Sequence, residues 1–347
     1  MPSERLLFVE LWRLGDAVAA TAGLAALRSA EPTAEIALLA HPQHGDPLFR
    51  SPAANVRIAY DAFWTRGKLP RDKYLPWTID YAALTRCAAA VRRFRPDHIF
   101  LFRGDPREQL FFRSFLGATI SDLRGPHPFV PGVRSFRRPA GVPRFKEYVA
   151  HIEQWSGVAG AAEPHIAGVS RSIPSGGYAL VHPGASWRYK QWSAAKVARL
   201  VEWARSSGLP VRIVAGPAER PFVEELRRQL GPTPVEYPSL PEFYALVADA
   251  AVVICNNSAA LHIAEAVGTP CIALTGSSDP VRWGTFREHS RTIAKSVHLP
   301  CHPCGEKRCV RPAHPCIEEI EQLDVVDALL RMHLVPGYAA EAAAGRG

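Results

Sequence analysis

The sequence predicts an α/β protein made of two doubly wound units in series. Short apolar runs alternate with segments of helical period along most of the chain, the pattern of a parallel sheet covered by helices. The alternation breaks at a Gly/Pro/Ser-rich stretch over 160–177 and then begins afresh with a new apolar run. A length of 347 residues agrees with two domains at roughly 150 residues each. The expected division is an N-terminal unit over 1–165, a C-terminal unit over 166–335 and a flexible tail over 336–347.

In the first unit, strands are expected at 6–11, 36–40, 56–60 and 98–102, with helices over 16–30 and 79–95. The amphipathic stretch 108–116 and the short run 118–123 complete it. Residues 124–144 carry Pro126, Pro128, Pro131, Pro139 and Pro143, which cannot sustain regular structure, so a long loop is expected there. A helix over 145–157 follows. The second unit should have strands at 178–182, 211–215, 251–255 and 271–275, and helices at 193–206, 219–230, 241–248 and 258–267. Two such units imply a cleft between them, bordered by carboxyl strand ends, where ligands bind.

Composition narrows the function. Hydrophobic residues make up 47% and charged residues 21%, which excludes a disordered or fibrous chain. The formal net charge is +8 and falls entirely within 86–150, where thirteen basic side chains face five acidic ones. That placement argues against a nucleic-acid coat and for one local basic face meeting an anionic partner. No apolar run approaches the roughly 18–20 residues that span a bilayer, and Glu4, Arg5 and Glu10 surround the first run, so no signal peptide is read. A cytoplasmic protein is expected.

Candidate chemistry sits at turns from strand to helix. Arg13-Leu14-Gly15-Asp16 follows the first strand; Gly15 lets a ligand approach the backbone, and Asp16 either caps the helix or serves as a general base. His182-Pro183-Gly184-Ala185-Ser186-Trp187 leads into Lys190-Gln191-Trp192, a turn suited to an anion, with Lys190 as its positive charge or as a solvated lysine. Trp192 reads as core. Gly216-Pro217-Ala218-Glu219 places an acid where it can bind a ribose hydroxyl pair or favour the helix dipole. Asn257 and Ser258 open a later helix with His262 one turn in, a second diphosphate candidate unless the histidine is structural.

Cys301, Cys304, Cys309 and Cys316 form a compact cluster. Four thiolates at such spacing suit a structural zinc or an iron–sulfur site, with free thiols and disulfides as the alternatives. The chain has no G-x-G-x-x-G after the first strand, no H-E-x-x-H, no G-x-S-x-G and no Asp-x-Asp. Any diphosphate leaving group must then be stabilised by Lys190 and helix dipoles, with no cofactor or divalent ion required.

Taken together these motifs resemble glycosyltransferase family 9, the ADP-heptose:lipopolysaccharide heptosyltransferases. The likeness rests on the strand ending in Arg13-Leu14-Gly15-Asp16, on His182 to Ser186 with Lys190-Gln191-Trp192, on Gly216 to Glu219, and on His262-Ile263-Ala264-Glu265-Ala266-Val267-Gly268-Thr269-Pro270. Cys301-His302-Pro303-Cys304 and His314-Pro315-Cys316 are similar to a cysteine-bearing branch of the family.

The resemblance implies a GT-B fold, two Rossmann-like doubly wound domains facing a central cleft, and inversion at the transferred sugar. It implies Asp16 as the base toward the acceptor hydroxyl, and Lys190 and Ser186 on the donor diphosphate. Glu219 would hold the ribose, and Asn257, Ser258 and His262 the rest of the donor site. Asn257 and Ala259 depart from the family's Asp and Gly, which touches the donor sugar. The partners implied are a nucleotide-sugar donor and an anionic lipid-linked or glycan acceptor met by Arg13, Arg137 and Arg138, with Arg92, Arg93, Arg103, Arg107 and Arg113 on the same basic face. Peripheral contact with the inner membrane face follows from such an acceptor. The competing readings are a nucleotide-sugar-binding protein that has lost catalysis, and a relative using another sugar or a protein acceptor.

Overall fold

The computed structural model describes residues 3–65, 79–115, 117–125, 128–172, 177–186, 188–304, 309–311 and 314–335. The expected tail over 336–347 lies outside them, as does Trp187. The chain divides into two compact units, Met1–Gly168 and Val169–Gly347.

In the first unit the order is β1 (Arg5–Glu10), α1 (Leu14–Ala30), β2 (Glu35–Ala40), α2 (Asp46–Phe49), β3 (Val56–Ala59), α3 (Tyr81–Phe94), β4 (His98–Leu101), α4 (Pro106–Arg113), β5 (Thr119–Asp122), β6 (Val133–Ser135) and α5 (Arg144–Ser156). All six strands are parallel, in the order β3-β2-β1-β4-β5-β6. Strands buried on both faces need apolar residues at every position, and β1, β2 and β4 meet that requirement almost throughout. The sixth strand lies inside the stretch expected as a long loop. Only Val133 of its three residues is buried, so the edge strand carries no alternation that a sequence reading can detect.

Helix ends follow local chemistry. Asp80 accepts the Ala83 N–H to start α3, and Asp105 accepts the Arg107 N–H ahead of Pro106 in α4. Gly157 ends α5 in the left-handed region. Helix α1 is buried along most of its length and packs closely on α5, where a Cβ at Gly23 would come within 2.7 Å of Tyr148 Cβ.

The second unit contains β7 (Ala179–His182), α6 (Ala194–Ser206), β8 (Val211–Ile213), α7 (Arg220–Leu230), α8 (Leu240–Asp249), β9 (Val252–Asn256), α9 (Ala259–Val267), β10 (Cys271–Leu274), α10 (Pro280–Trp283), β11 (Arg291–Ile293), α11 (Pro315–Glu318) and α12 (Gln322–Arg331). Its parallel sheet runs β11-β10-β9-β7-β8. Trp192 lies in the core as expected, its Nε1–H donating to the Ile320 carbonyl at 2.7 Å. Val325 and Leu329 bring α12 onto the same core. No described helix is long and apolar enough to cross a membrane.

Each sheet reverses its strand order once, between β1 and β4 and between β7 and β9. The carboxyl ends of strands beside such a reversal splay their following loops apart and leave room for a ligand.

A buried polar relay ties β4, β5 and α5 together. The His98 ring meets Thr119 Oγ1 at 2.5 Å and Ser121 Oγ at 2.8 Å, and His151 Nε2 meets the same Ser121 Oγ at 2.8 Å. Burial pushes both imidazoles down, to about 4 for His98 and about 3 for His151, helped by Arg134 and by His98 respectively. The unfolded chain binds those protons near pH 6.5, so this stability is complete above that pH and is lost as the pH falls toward the folded values. Each histidine contributes a slope of at most about 1.4 kcal/mol per pH unit. Denaturant melts at pH 7.5 and pH 5 should therefore show a smaller acid loss for His151→Gln than for the unaltered protein; equal losses would refute the assignment.

Candidate functional site

At the reversal in the first sheet, Asp16 follows β1 and Arg103 follows β4. Helix α1 has Arg13 as its N-cap with no side-chain cap bond, and Asp16 lies inside the first turn, 6% exposed. Its carboxylate pairs with the Arg103 guanidinium, while Arg144 Nε from the start of α5 stands 3.8 Å from the other oxygen. The capping alternative is thereby replaced by an ion cluster. Gly15, one residue earlier, is half-buried in the same turn, and Arg13 is exposed.

The surroundings of Asp16 are charged and almost dry. Glu10 ends β1, 2% exposed, and accepts from Trp12 N–H at 3.0 Å and from the Tyr148 hydroxyl. Arg144 donates to Tyr148 Oη at 3.0 Å and to Glu147 at 2.5 Å. The Arg103 guanidinium also stacks on the Trp12 ring, 4.8 Å from its centroid. Burial pushes Glu10 and Tyr148 up, and pushes Glu108 well above the usual carboxylate range. The sequence reading had Asp16 but not Glu10, Arg144 or Tyr148. The available signal was Glu10 itself, a charge closing an otherwise apolar strand.

The basic face is smaller than expected. Arg103 is committed to Asp16, and Arg107 pairs with Asp105 at 2.5 Å, so neither belongs to it. Arg92, Arg93, Arg113, Arg137 and Arg138 are exposed. Arg137 and Arg138 follow β6, three places along the sheet from β1, and the Arg137 backbone is fixed by Gln154 through bonds of 2.9 Å.

In the second unit, the loops after β7 and β9 flank the other reversal. Asn256, at the end of β9, gives its amide N–H to the Pro183 carbonyl at 2.6 Å and accepts the Trp192 N–H at 3.1 Å, locking the two loops together. Glu219 closes a 3-10 turn after β8, accepts the Gly216 N–H at 2.7 Å and approaches His182 Nε2 at 3.6 Å. A Cβ at Gly184 would fall inside that carboxylate, so the Glu219 side chain takes its present place only over a glycine.

Asn257 gives its amide to the Trp283 carbonyl at 2.7 Å, a contact that the family's aspartate could not make as a donor. Ser258 is the N-cap of α9, and its buried Oγ has no hydrogen-bond partner among the described residues; Thr275 Oγ1, just after β10, is in the same condition. His262 sits edge-on to Trp283, with ring centroids 5.9 Å apart. Ser186 is exposed and Lys190, half-buried, ends a 3-10 turn. The sequence reading missed Asn256, whose signal was a polar residue at the end of a wholly apolar strand.

The four cysteines of the expected metal site lie in one segment of the second unit. Cys301, Cys304, Cys309 and Cys316 line a common cavity of about 20 Å³, but among the described residues no group of three or more His, Cys, Asp or Glu is placed to hold a metal ion. Cys304 is exposed whereas Cys316 is buried, and burial, together with the nearby Cys309, Cys304 and Cys301, pushes the Cys316 thiol up to about 11. What the segment does is brace the loop after β10. His302 Nε2 lies 3.1 Å from both the Gly276 and Ser278 carbonyls, and a Cβ at Gly276 would come within 3.4 Å of Cys316 Sγ.

Two parallel-sheet α/β units, each with its polar residues gathered at carboxyl strand ends beside a reversal of order, define a GT-B protein. The chain superposes on the glycosyl transferase family 9 structure from Veillonella parvula with a TM-score of 0.76 and 17% identity, covering 95% of this chain and 97% of that one. It superposes on the Escherichia coli ADP-heptose lipopolysaccharide heptosyltransferase II with a TM-score of 0.70 and 18% identity, covering 95% and 98%. Residues 154–314 match the family described as glycosyltransferase family 9 (heptosyltransferase). Among curated proteins it is 30% identical over 118 residues to lipopolysaccharide heptosyltransferase 3 of Escherichia coli K12, a match spanning 32% of this chain and 34% of that protein.

The Gly184–Glu219 interlock is open to a direct check. Gly184→Ala should expel the carboxylate from the Gly216 N–H and cost roughly 1–3 kcal/mol in a denaturant melt. Adding Glu219→Ala should recover most of that loss, because the clash involves only the tip of the glutamate. A double variant no more stable than the single one would contradict this packing.

Proposed function

We propose that this chain is an inverting glycosyltransferase that moves a heptose from ADP-heptose to a lipopolysaccharide-core or related glycan acceptor. The observation that supports the reading is that Asp16 follows β1 while Ser186, Lys190, Asn257 and Ser258 follow β7 and β9, the strands where the two sheets reverse their order. The Escherichia coli structure named for ADP-heptose supports the choice of donor. The second unit would hold the donor. Glu219 would take the ribose hydroxyls, and Lys190, Ser186 and Ser258 the diphosphate, with Asn257 and His262 toward the sugar.

In the transfer, Asp16 accepts the proton of the acceptor hydroxyl as its oxygen forms a bond to the anomeric carbon. The bond from that carbon to the diphosphate oxygen breaks on the opposite face, and ADP leaves with the electron pair. Lys190 and the N-terminus of α9 oppose the charge that develops there. No metal or organic cofactor is assigned a part. Arg13, Arg137 and Arg138 would meet the carboxylates and phosphates of the acceptor. Action at the cytoplasmic membrane face is part of the same proposal, because that is where a lipid-linked acceptor presents itself.

Asp16→Asn should lower transfer about a thousandfold while leaving calorimetric ADP affinity within twofold. Retention of full transfer would remove Asp16 from the role of base. Replacing Arg137 and Arg138 together with Ser should raise the acceptor KM roughly tenfold at low salt and leave the donor KM unchanged; a change confined to the donor KM would misplace the acceptor.

A further inference from the structure

We propose that Glu10, fixed by Tyr148, is a positioning residue for Asp16, its carboxylate working against the two guanidinium charges that flank that side chain. The proposal rests on reading Asp16 as the base, and its first test does not depend on catalysis.

The charges in this pocket come from five elements. Glu10 belongs to β1, Asp16 to α1, Glu108 to α4, and Arg144, Glu147 and Tyr148 to α5, while Arg103 follows β4. Arg103 and Arg144 both reach Asp16. Glu147 engages one Nη of Arg144 and is itself 2% exposed. Burial pushes Glu108 well above the usual carboxylate range, toward its neutral form. With Glu10 ionised, three carboxylates oppose two guanidiniums, and the surplus negative charge raises the proton affinity of Asp16. With Glu10 neutral the charges cancel, and Asp16 becomes the weaker base.

The way Glu10 is held fits the ionised form. Both of its oxygens accept, one from Trp12 N–H and one from the Tyr148 hydroxyl. Tyr148 Oη accepts in turn from Arg144, whose guanidinium lies 4.3 Å from the ring centroid. Guanidinium can only donate, so the Arg144 bond ends on the phenol oxygen and leaves the phenol hydrogen available to Glu10. Burial, the largest influence, pushes the Glu10 pKa up and Asp16 adds to it, while Arg103, the Tyr148 hydrogen bond and Arg144 work against that rise.

The experiment is a carbon-13 NMR titration of protein labelled at the Asp carboxyls, with the Asp16 resonance identified by its loss in Asp16→Asn. Glu10→Gln should lower the Asp16 midpoint by roughly 0.5–1 pH unit, and Tyr148→Phe should move it the same way by less. In transfer assays the acid limb of kcat/KM should move equally, kcat should fall about tenfold, and the donor KM should stay constant. An unchanged or raised midpoint in the variants overturns the proposal, and Tyr148→Phe decides it alone where Glu10→Gln does not fold. If the unaltered chain shows no transfer, the transferase reading fails, while the titration still judges the role of Glu10.

Discussion

At Gly23 the backbone of α1 comes against the side chain of Tyr148 on α5, and the geometry of the whole N-terminal site depends on that approach. A side chain at residue 23 would drive α5 outward. Arg144, one turn before Tyr148 on the same helix, would then leave Asp16, and Tyr148 would leave Glu10. Only a close helix pair can bring a buried acid at the start of α1 and a buried base at the start of α5 into one pocket. The arrangement is also self-consistent electrostatically, because each guanidinium lost from water finds at least one carboxylate in return.

The second unit solves a related problem with hydrogen bonds instead of charge. Asn256 joins the β7 loop to Trp192, Glu219 fills the space above Gly184, and His302 holds the carbonyls after β10. These contacts fix loop backbones and leave hydroxyls such as Ser258 Oγ unengaged among the described residues. The first unit thus gathers buried charges around one carboxylate, and the second ties its strand-end loops together with hydrogen bonds.

Much of this was legible in the sequence, and the reasons for the remainder are physical. Parallel strands buried on both faces betray themselves as apolar runs, so β1, β2, β7, β9 and β10 were visible, and the turns after β1 and β9 pointed to Asp16 and Ser258, as the turn after β8 did to Glu219. Partners set by tertiary approach were not visible. Nothing near Asp16 in the chain indicates Arg103 or Arg144. The edge strand β6 and helix α12 were missed for a different reason: one is too short to show a period, and the other follows a cysteine-rich segment that drew the reading toward ligation.

Helix α1 has another consequence, for the order in which the chain acquires its structure. It is apolar on nearly every face, yet the element that seals one side of it, α5, is the last helix of its unit. During synthesis α1 therefore leaves the ribosome long before its cover exists. The contact at Gly23 joins residues far apart in the chain, and such long-range closure slows folding and prolongs the exposure of apolar surface. The apolar surface of α1 thus stays uncovered on that side until α5 has been made.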